Sequence, residues 1–238
     1  MRFPVWISVG PTRVHPHLLF EVLAYVVGFC LYLVLRRRQG DEIDNSIRWS
    51  LVTAVFVGAV VGGRGLAWLD QPGGKTLVGA LLGGWIATEL TKRRLGIRQP
   101  TGDVYVLPLV IGIAIGRIGC LLTGLSDGTY GVSTSLPWGV DFGDGVHRHP
   151  TALYESLFMA ALVLPLRRFA RGAARGDLFK AFMATYLGFR LLVDMLKPAV
   201  PLALGLTGIQ WACLAGLAYY AWWFSTERTD AWQTASPR

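Results

Sequence analysis

Long apolar segments alternate with short basic clusters along the whole chain, and this alternation is the feature that most limits how the chain can fold. Seven segments are candidates for the ~20 residues that a helix needs to cross the hydrocarbon core of a bilayer. They span residues 18–35, 49–69, 77–90, 104–122, 152–166, 178–196 and 202–224. The third and fifth are short, and we expect their helices to extend into the flanking polar residues. Charged residues make up 16% of the chain, against about 25% in a soluble domain. We therefore predict an all-α integral membrane protein in which residues 1–238 form a single membrane domain with seven transmembrane helices.

The positions of the basic residues predict the orientation of these helices. Basic clusters follow the first, third and fifth segments: Arg36, Arg37, Arg38 and Arg48; Lys92, Arg93, Arg94 and Arg98; Arg167, Arg168, Arg171 and Arg175. Loops that stay in the cytoplasm are enriched in Lys and Arg, so we expect the N-terminus outside and the C-terminus inside. The loop 123–150 then lies outside. Because it is much longer than the usual ~4–6 residues of a connection, we expect it to fold as a cap between helices four and five.

The net charge and the cysteines exclude some functions. The formal charge of +8 belongs largely to the loop clusters, which are typical of membrane topology signals and not of a nucleic-acid-binding surface. Cys30, Cys120 and Cys213 fall in or beside apolar segments, without the spacing of a disulfide framework or a metal site. We interpret the cysteines as packing residues, and we predict neither a metal nor a cofactor.

Charged residues inside the apolar segments are the strongest indication of function, because a charge at membrane depth is costly without a partner. Arg117 lies near the end of the fourth segment and Arg64 near the end of the second. A guanidinium is suited to bidentate capture of a phosphate or a carboxylate. The alternative for Arg117 is a structural ion pair, and its candidate partners are Glu21, Glu89, Glu155 and Asp194.

Two further places near the predicted outer side carry polar residues. His17 and Glu21 are four residues apart, so they share one face of the first helix, either against a partner in the bundle or as an interfacial pair in contact with water. The sequence GGKT at 73–76 lacks the glycine spacing of a phosphate loop. We expect it to begin a helix, with Lys75 near a lipid phosphate.

The sixth segment is predicted to have a polar face. Tyr186, Arg190, Asp194 and Lys197 recur at helical spacing, so we expect all four on one side of a helix. A polar stripe in an apolar segment must face the interior of a bundle or an aqueous cavity. It belongs either to a substrate pocket or to a purely structural network between helices.

A set of motifs in fixed order resembles the prolipoprotein diacylglyceryl transferase family. The motifs are GRIG at 116–119, a glycine-rich loop ending in Tyr130 and Gly131, LPWG at 136–139 and HPTALYE at 149–155. Smaller matches occur at 25–29, at 63–64 and in the sixth segment through Lys197 and Pro198. The resemblance spans nearly the whole chain.

The resemblance implies a multi-pass enzyme of the bacterial inner membrane whose active site faces the periplasm, with the loop cap on that side. Such an enzyme transfers the diacylglyceryl group of phosphatidylglycerol to the lipobox cysteine of a prolipoprotein signal peptide, the first step of lipoprotein maturation, and releases glycerol phosphate. Phosphatidylglycerol, the prolipoprotein and other membrane lipids are the implied partners, with no nucleic acid.

Motif position and residue chemistry together give the candidate site residues. The candidates for catalysis are Arg117, Arg190, Glu155, Glu21 and His149. The candidates for substrate binding are Arg64, Lys75, Tyr154, Tyr186, Gly119 and Gly131. Of these, Arg117 and Arg190 match the positions of the essential arginines in the family that the chain resembles.

The chain departs from the family pattern where the catalytic base is expected. Val78, Gly79 and Ala80 occupy the place of a His-Gly-Gly motif, Cys120 replaces the asparagine after GRIG, residues 123–125 replace Asn-Gly-Glu, and Glu21 replaces a tyrosine. Asp127 is a candidate for the missing carboxylate. One hypothesis is that Glu21, His17 or His149 compensates for the missing histidine. The others are a paralogue that transfers a phospholipid-derived group to another acceptor, and a non-catalytic binder of anionic lipid.

Overall fold

The computed structural model describes residues 3–39, 43–70, 74–198 and 200–235, and these residues are mainly helical. The α-helices are α1 (Pro16–Gln39), α2 (Asn45–Asp70), α3 (Leu77–Arg94), α4 (Asp103–Thr123), α5 (Thr151–Phe169), α6 (Asp177–Asp194) and α7 (Gly208–Ala235). Four short strands form two antiparallel hairpins: β1 (Ile7–Val9) with β2 (Thr12–Val14), and β3 (Val140–Asp141) with β4 (His147–Arg148). Each predicted apolar segment thus corresponds to one helix of the described chain.

By length and composition, three helices among the described residues can cross a membrane: α1, α2, and α4 with the 3-10 turn that follows it.

The bounds of three other helices differ from those of the apolar segments. As expected for short segments, α3 and α5 extend into flanking polar residues, and both end in basic ones. Helix α7 begins later than residue 202, because Ala203 and Leu206 pair across a tight loop.

The described residues divide into two compact units. The first unit contains α1, α4, α5, both hairpins and residues 195–198. The second contains α2, α3, residues 180–194 of α6, and α7. The candidate site residues are therefore distributed over both units.

Close contacts of small residues hold α1 against α4 in the first unit. A Cβ on Gly119 would lie 2.7 Å from the Cβ of Phe20, so only glycine lets the start of α1 approach the end of α4 this closely. Farther along the same pair of helices, the rings of Tyr32 and Tyr105 stack at 5.0 Å. Helix α5 joins α4 through Ser156, whose hydroxyl donates to the carbonyl of Ala114 at 2.8 Å.

The N-terminal segment and the loop before α5 fold against the same end of α4. The backbone N–H of Val5 donates to Leu122 at 2.9 Å, and the ring of Phe3 packs edge-on against Phe142 at 5.1 Å. Gly124 has φ +75°, and Phe3 occupies the space that a Cβ there would need. Phe142 is buried, so it anchors the loop before α5 on the first unit.

The second unit depends on a glycine contact between α2 and α3. Gly58 and Gly62 face Gly79 and Gly83 so closely that a Cβ at any of these positions would clash with the backbone of the opposite helix. Small residues thus let the backbones of α2 and α3 approach closely. The unit also positions α7 through Asp70, whose carboxylate accepts from the N–H groups of Gly208 and Ile209 at 2.6 and 3.0 Å.

Candidate functional site

An ion pair between α4 and α5 forms the centre of the candidate site in the first unit. Nε of Arg117 lies 3.0 Å from Oε2 of Glu155, and the two side chains are 13% and 1% exposed. Of the carboxylates considered as partners for Arg117, the structure therefore selects Glu155. Breaking an ion pair with a buried member is costly, so each residue helps to fix the position of the other.

A cluster of titratable groups continues from this ion pair. Nη1 of Arg117 donates to Sγ of Cys120 at 3.9 Å. Sγ of Cys120, a ring nitrogen of His17 and a carboxylate oxygen of Asp127 all lie within 4.8 Å of one another. His17 and Asp127 are in direct contact, because Nδ1 is 2.8 Å from Oδ1. The end of α4, the turn after it and the start of α1 thus bring a thiol, an imidazole and a carboxylate together.

His17 also contacts Glu21, as their spacing predicts. Nε2 of His17 is 3.5 Å from Oε2 of Glu21, and the hydroxyl of Tyr25 donates to Oε1 of Glu21 at 3.4 Å. His17 reaches Cys120 because Gly119 allows the first turn of α1 to lie against α4. The side chain of His17 is 28% exposed and that of Asp127 is 9% exposed, so the cluster runs from a buried ion pair toward the surface.

His149 belongs to a different group of side chains. Its Nδ1 lies 3.1 Å from the hydroxyl of Tyr154, which also accepts a hydrogen bond from Nε1 of Trp138 at 2.9 Å. The backbone of His149 accepts from the N–H of Gly131 at 2.8 Å. A Cβ on Gly131 would lie 2.6 Å from the Cβ of His149, so this glycine allows the glycine-rich loop to pack on the start of α5.

The hairpin of β3 and β4 places charged groups in the same loop. Asp141 accepts from the N–H groups of Gly143 and Gly145 at 2.8 and 3.0 Å, and these backbone bonds lower the pKa of its carboxyl group. Asp144 accepts from Arg148 at 2.7 Å, and this bond lowers the pKa of the Asp144 carboxyl group. Both aspartates therefore hold the hairpin in their ionised form.

In the second unit, Arg190 is part of a buried network at the end of α6. Its Nη2 donates to Oδ1 of Asp194 at 3.3 Å, and the hydroxyl of Thr207 donates to Oδ2 of the same aspartate at 2.8 Å. The backbone N–H of Thr207 donates to the side-chain oxygen of Gln210, and the backbone N–H of Gln210 donates to the hydroxyl of Thr207. Helix α6 ends at Asp194, so the prediction that Lys197 continues its polar face is wrong.

The remaining substrate-binding candidates lie in different environments of the second unit. Arg64 and Lys75 are exposed, whereas Tyr186 is fully buried and stacks on Phe182 at 6.1 Å. Lys75 directly precedes Thr76, which caps the start of α3 by accepting from the N–H of Gly79 at 3.1 Å. The prediction that GGKT begins a helix is confirmed.

The family model for prolipoprotein diacylglyceryl transferase matches residues 4–226. The chain belongs to this family. Among the relatives of the diacylglyceryl transferase family, the phosphatidylglycerol–prolipoprotein diacylglyceryl transferase of Bordetella parapertussis is 30% identical over 254 aligned residues, covering 91% of this chain and 94% of the relative. Proteins of the same name are 29% identical in Geobacter sulfurreducens, with 82% of both chains covered, and 30% identical in Vibrio parahaemolyticus, with 82% and 78% covered.

Membership in the diacylglyceryl transferase family makes the chain a transferase of lipoprotein biosynthesis, and its apolar helices make it a membrane protein. Val78, which takes the place of the histidine in the family resemblance, is fully buried and has no chemistry for proton transfer. Cys120, which takes the place of the asparagine after GRIG, instead lies beside His17 and Asp127. The departures from the diacylglyceryl transferase pattern therefore include one that sits inside the candidate site.

Sequence reasoning missed the assembly of this cluster, although it named each part of it. Cys120 was interpreted as a packing residue, His17 as one of several possible bases and Asp127 as a substitute carboxylate. The available signal was the coincidence of two changes in one short stretch: a cysteine directly after GRIG and an aspartate seven residues later. The third residue of the cluster, His17, could not be assigned from spacing because it lies on another helix, far away in the sequence.

Proposed function

We propose that the protein transfers the diacylglyceryl group of phosphatidylglycerol to the lipobox cysteine thiol of a prolipoprotein. In this reaction the thiol loses its proton and the sulfur attacks the terminal glyceryl carbon of the donor. The carbon–oxygen bond to the phosphate breaks, its electron pair stays on the phosphate oxygen, and glycerol phosphate leaves. The names of the relatives support both substrates.

The observation that carries this proposal is the contact between Arg117 and Cys120. It joins a guanidinium, suited to a phosphate whose negative charge increases as it leaves, to a cluster of groups suited to ionising a thiol. Glu155 holds the guanidinium in place, and an arginine keeps its charge at every pH that a cell reaches. We assign phosphate binding to Arg117 and ionisation of the acceptor thiol to the region of His17, Cys120 and Asp127.

The proposal includes seven membrane-spanning helices with the site on the periplasmic side of the inner membrane. In support, Arg36, Arg37 and Arg38 occupy the last turn of α1 while His17 is near its start, and Arg167 and Arg168 end α5 while Glu155 is near its start. Clusters of basic residues favour the cytoplasmic side. The Arg117 cluster thus occupies the opposite ends of these helices, and the N-terminus is outside.

Further roles in the proposal fall to residues outside this cluster. Within the second unit, Arg190 would contact a lipid phosphate and Tyr186 would support Arg190 from the preceding turn of α6. Arg64 and Lys75 would contact lipid headgroups. His149 and Tyr154 would orient the acceptor peptide beside the loop. The bonds between Arg190, Asp194 and Thr207 equally suit a structural role for that arginine.

A different acceptor is the second candidate function, and the exchange at Val78 favours it. A buried valine in place of a histidine changes the proton-transfer groups available to the reaction. A paralogue with the same phosphate site would then transfer the lipid group to another nucleophile.

One experiment separates these functions from simple lipid binding. Purified protein in phosphatidylglycerol nanodiscs is incubated with a lipobox peptide, and mass spectrometry detects the diacylglyceryl thioether. A peptide with serine in place of the lipobox cysteine, and nanodiscs of phosphatidylethanolamine, serve as controls. We expect thioether only with the cysteine peptide and phosphatidylglycerol. If folded protein yields none, the proposed function is wrong, and bound phosphatidylglycerol without any product would indicate a lipid binder.

A further inference from the structure

We propose that His17, Cys120 and Asp127 bind a Zn²⁺ ion whose fourth position takes the thiolate of the acceptor cysteine. The proposal rests on the proposed function, because it names the device by which that site ionises the acceptor thiol. It also gives Cys120 a role that a packing residue does not have.

The donor set selects the class of ion. Thiolate and imidazole are ligands of Zn²⁺ and other borderline transition metals, whereas Mg²⁺ and Ca²⁺ take oxygen ligands. Three protein ligands with one open position are typical of catalytic zinc sites, and structural zinc sites have four protein ligands. Among the residues that the structure describes, His17, Cys120 and Asp127 are the one group of at least three His, Cys, Asp or Glu side chains close enough to share an ion.

The geometry needs small movements only. Ligand atoms in a tetrahedral zinc site lie about 3.3–3.6 Å apart, given bonds of roughly 2.0–2.3 Å. The three ligand atoms here lie within 4.8 Å of one another, and Nδ1 of His17 is 2.8 Å from Oδ1 of Asp127. Side-chain rotation that opens the His17–Asp127 pair by about half an ångström and draws in the thiol would give the ligand spacing of zinc.

The second ring nitrogen of His17 has the partner that a metal-bound imidazole usually has. A ligating histidine generally donates its other N–H to a carboxylate, which fixes the ring and the tautomer. Nε2 of His17 lies 3.5 Å from Glu21, and Tyr25 donates to the other oxygen of that carboxylate. Glu21, which stands where the family resemblance has a tyrosine, thus becomes a positioning residue for the ligand.

The charges balance around such an ion. The thiolate of Cys120 and the carboxylate of Asp127 together neutralise Zn²⁺, and Arg117 is already neutralised by Glu155 at 3.0 Å. A neutral site is the least costly one in surroundings of low dielectric constant. The thiolate of the acceptor then adds one negative charge next to the guanidinium of Arg117.

The ion would replace the missing histidine base. A thiol that coordinates zinc is deprotonated outright, so the acceptor gives its proton to water as it binds. The bound sulfur then attacks the glyceryl carbon, and the electron pair of the broken carbon–oxygen bond stays on the departing phosphate. No general base is needed in this step, which suits a chain with valine at position 78.

Metal binding tests the site directly. The full-length protein is purified in detergent, stripped with a chelator and titrated with Zn²⁺, and bound metal is measured by mass spectrometry. We expect about one ion per chain, and loss of binding by well over 100-fold in Cys120→Ser and Asp127→Asn, since even an outer partner such as Glu21 changes affinity by about 10–100-fold. Cys30→Ser is the matched control, because that thiol is exposed on α1 and should not affect binding.

Cobalt supplies a readout independent of activity. In protein loaded with Co²⁺, Cys120 should give a thiolate-to-metal charge-transfer absorption that is absent in Cys120→Ser. The lipobox peptide should increase this absorption by adding a second thiolate, and the serine peptide should leave it unchanged. Equal metal binding by wild type and Cys120→Ser would overturn the proposed site.

The outcomes separate this proposal from the proposed function. If metal-free protein produces the thioether at the full rate, the zinc proposal fails and the transferase function stands, with His17 and Asp127 as a base pair. If the protein binds one zinc ion through Cys120 but yields no thioether with any lipobox peptide, the proposed acceptor is wrong and the metal site stands without it.

Discussion

Each unit of this protein pairs an arginine with a buried carboxylate, yet the two pairs have different surroundings. Arg117 and Glu155 come from two helices, and their contacts continue to Cys120, which lies beside the partly exposed His17. Arg190 and Asp194 are four residues apart on one helix, and their contacts continue to the residues that begin α7. An arginine paired with a buried carboxylate in this fold is therefore not by itself a sign of chemistry. The groups next to it decide its role.

The largest effect is expected from breaking the pair in the second unit. Asp194→Ala removes a partner that Arg190 and Thr207 share, and breaking a buried ion pair by removing one member costs roughly 3–5 kcal/mol. Thermal and denaturant unfolding in detergent would show this loss. Asp144→Ala is the control, because it removes an ion pair in the exposed hairpin and should leave the unfolding midpoint close to that of the wild type. An unchanged stability of Asp194→Ala would remove the structural role given to this network.

Breaking the pair in the first unit should act on catalysis as well as on folding, because Glu155 is as buried as Asp194. Arg117→Ala is expected to lower turnover by about 10²–10³-fold, the usual effect of removing a group that stabilises developing charge. The rate of thioether formation measures this effect, and the unfolding midpoint reports any accompanying loss of stability. Arg148→Ala removes an arginine from the hairpin and should keep full activity. Activity at the wild-type level in Arg117→Ala would end the phosphate-binding role.

A substitution on α4 tests whether close helix packing positions the cluster. In Gly119→Ala the new Cβ would lie 2.7 Å from the Cβ of Phe20, and such overpacking costs typically about 1–3 kcal/mol. Because the substitution pushes the start of α1 away, it should also weaken the contact between His17 and Cys120 and slow transfer. Gly116→Ala is matched to it, since its Cβ would meet Ala24 at an ordinary 4.0 Å. Equal behaviour of the two variants would contradict the packing argument.

The smallest effect is expected when the pH is lowered, and it concerns the hairpin of β3 and β4. The carboxyl groups of Asp141 and Asp144 have a lower pKa in the folded state than the usual ~3.9. The stability that the two ionised carboxylates give the hairpin is therefore fully present above a pH equal to the ordinary pKa. It is lost as the pH falls through the lowered pKa of the folded state. Amide chemical shifts of Gly143 and Gly145 should stay constant from neutral pH down to about pH 4 and change below it. Asp141→Asn should remove most of this change, and a transition near neutral pH would show that other groups control the hairpin.

Sequence alone predicted the helices well and their contacts unevenly. Helix existence follows from local apolar composition, so each apolar segment matched a helix. Local contacts followed too: His17 with Glu21, and Arg190 with Asp194. The partner of Arg117 could not be chosen among four carboxylates, because spacing along the chain does not determine which helices meet.

The parts that escaped prediction depend on tertiary position. The first hairpin has strands of three residues, too short for alternation to be recognised. Cys120 had an apolar context typical of a packing residue, and what distinguishes it is the approach of α1, which brings His17 from more than one hundred residues earlier in the chain. Gly119 permits that approach, but nothing in the sequence distinguishes it from the other glycines of α4.

Helix α1 carries His17 near one end and three arginines in its last turn, so the length of the helix fixes the distance between the imidazole and the arginines. From His17 to Arg36 the helix rises about 28 Å at 1.5 Å per residue, close to the ~30 Å thickness of the hydrocarbon core. Anchoring the arginines at one headgroup layer therefore holds the imidazole at the level of the other. In the proposed orientation, a thicker bilayer would draw the imidazole into hydrocarbon and a thinner one would lift it into water, so the transfer rate should vary with bilayer thickness.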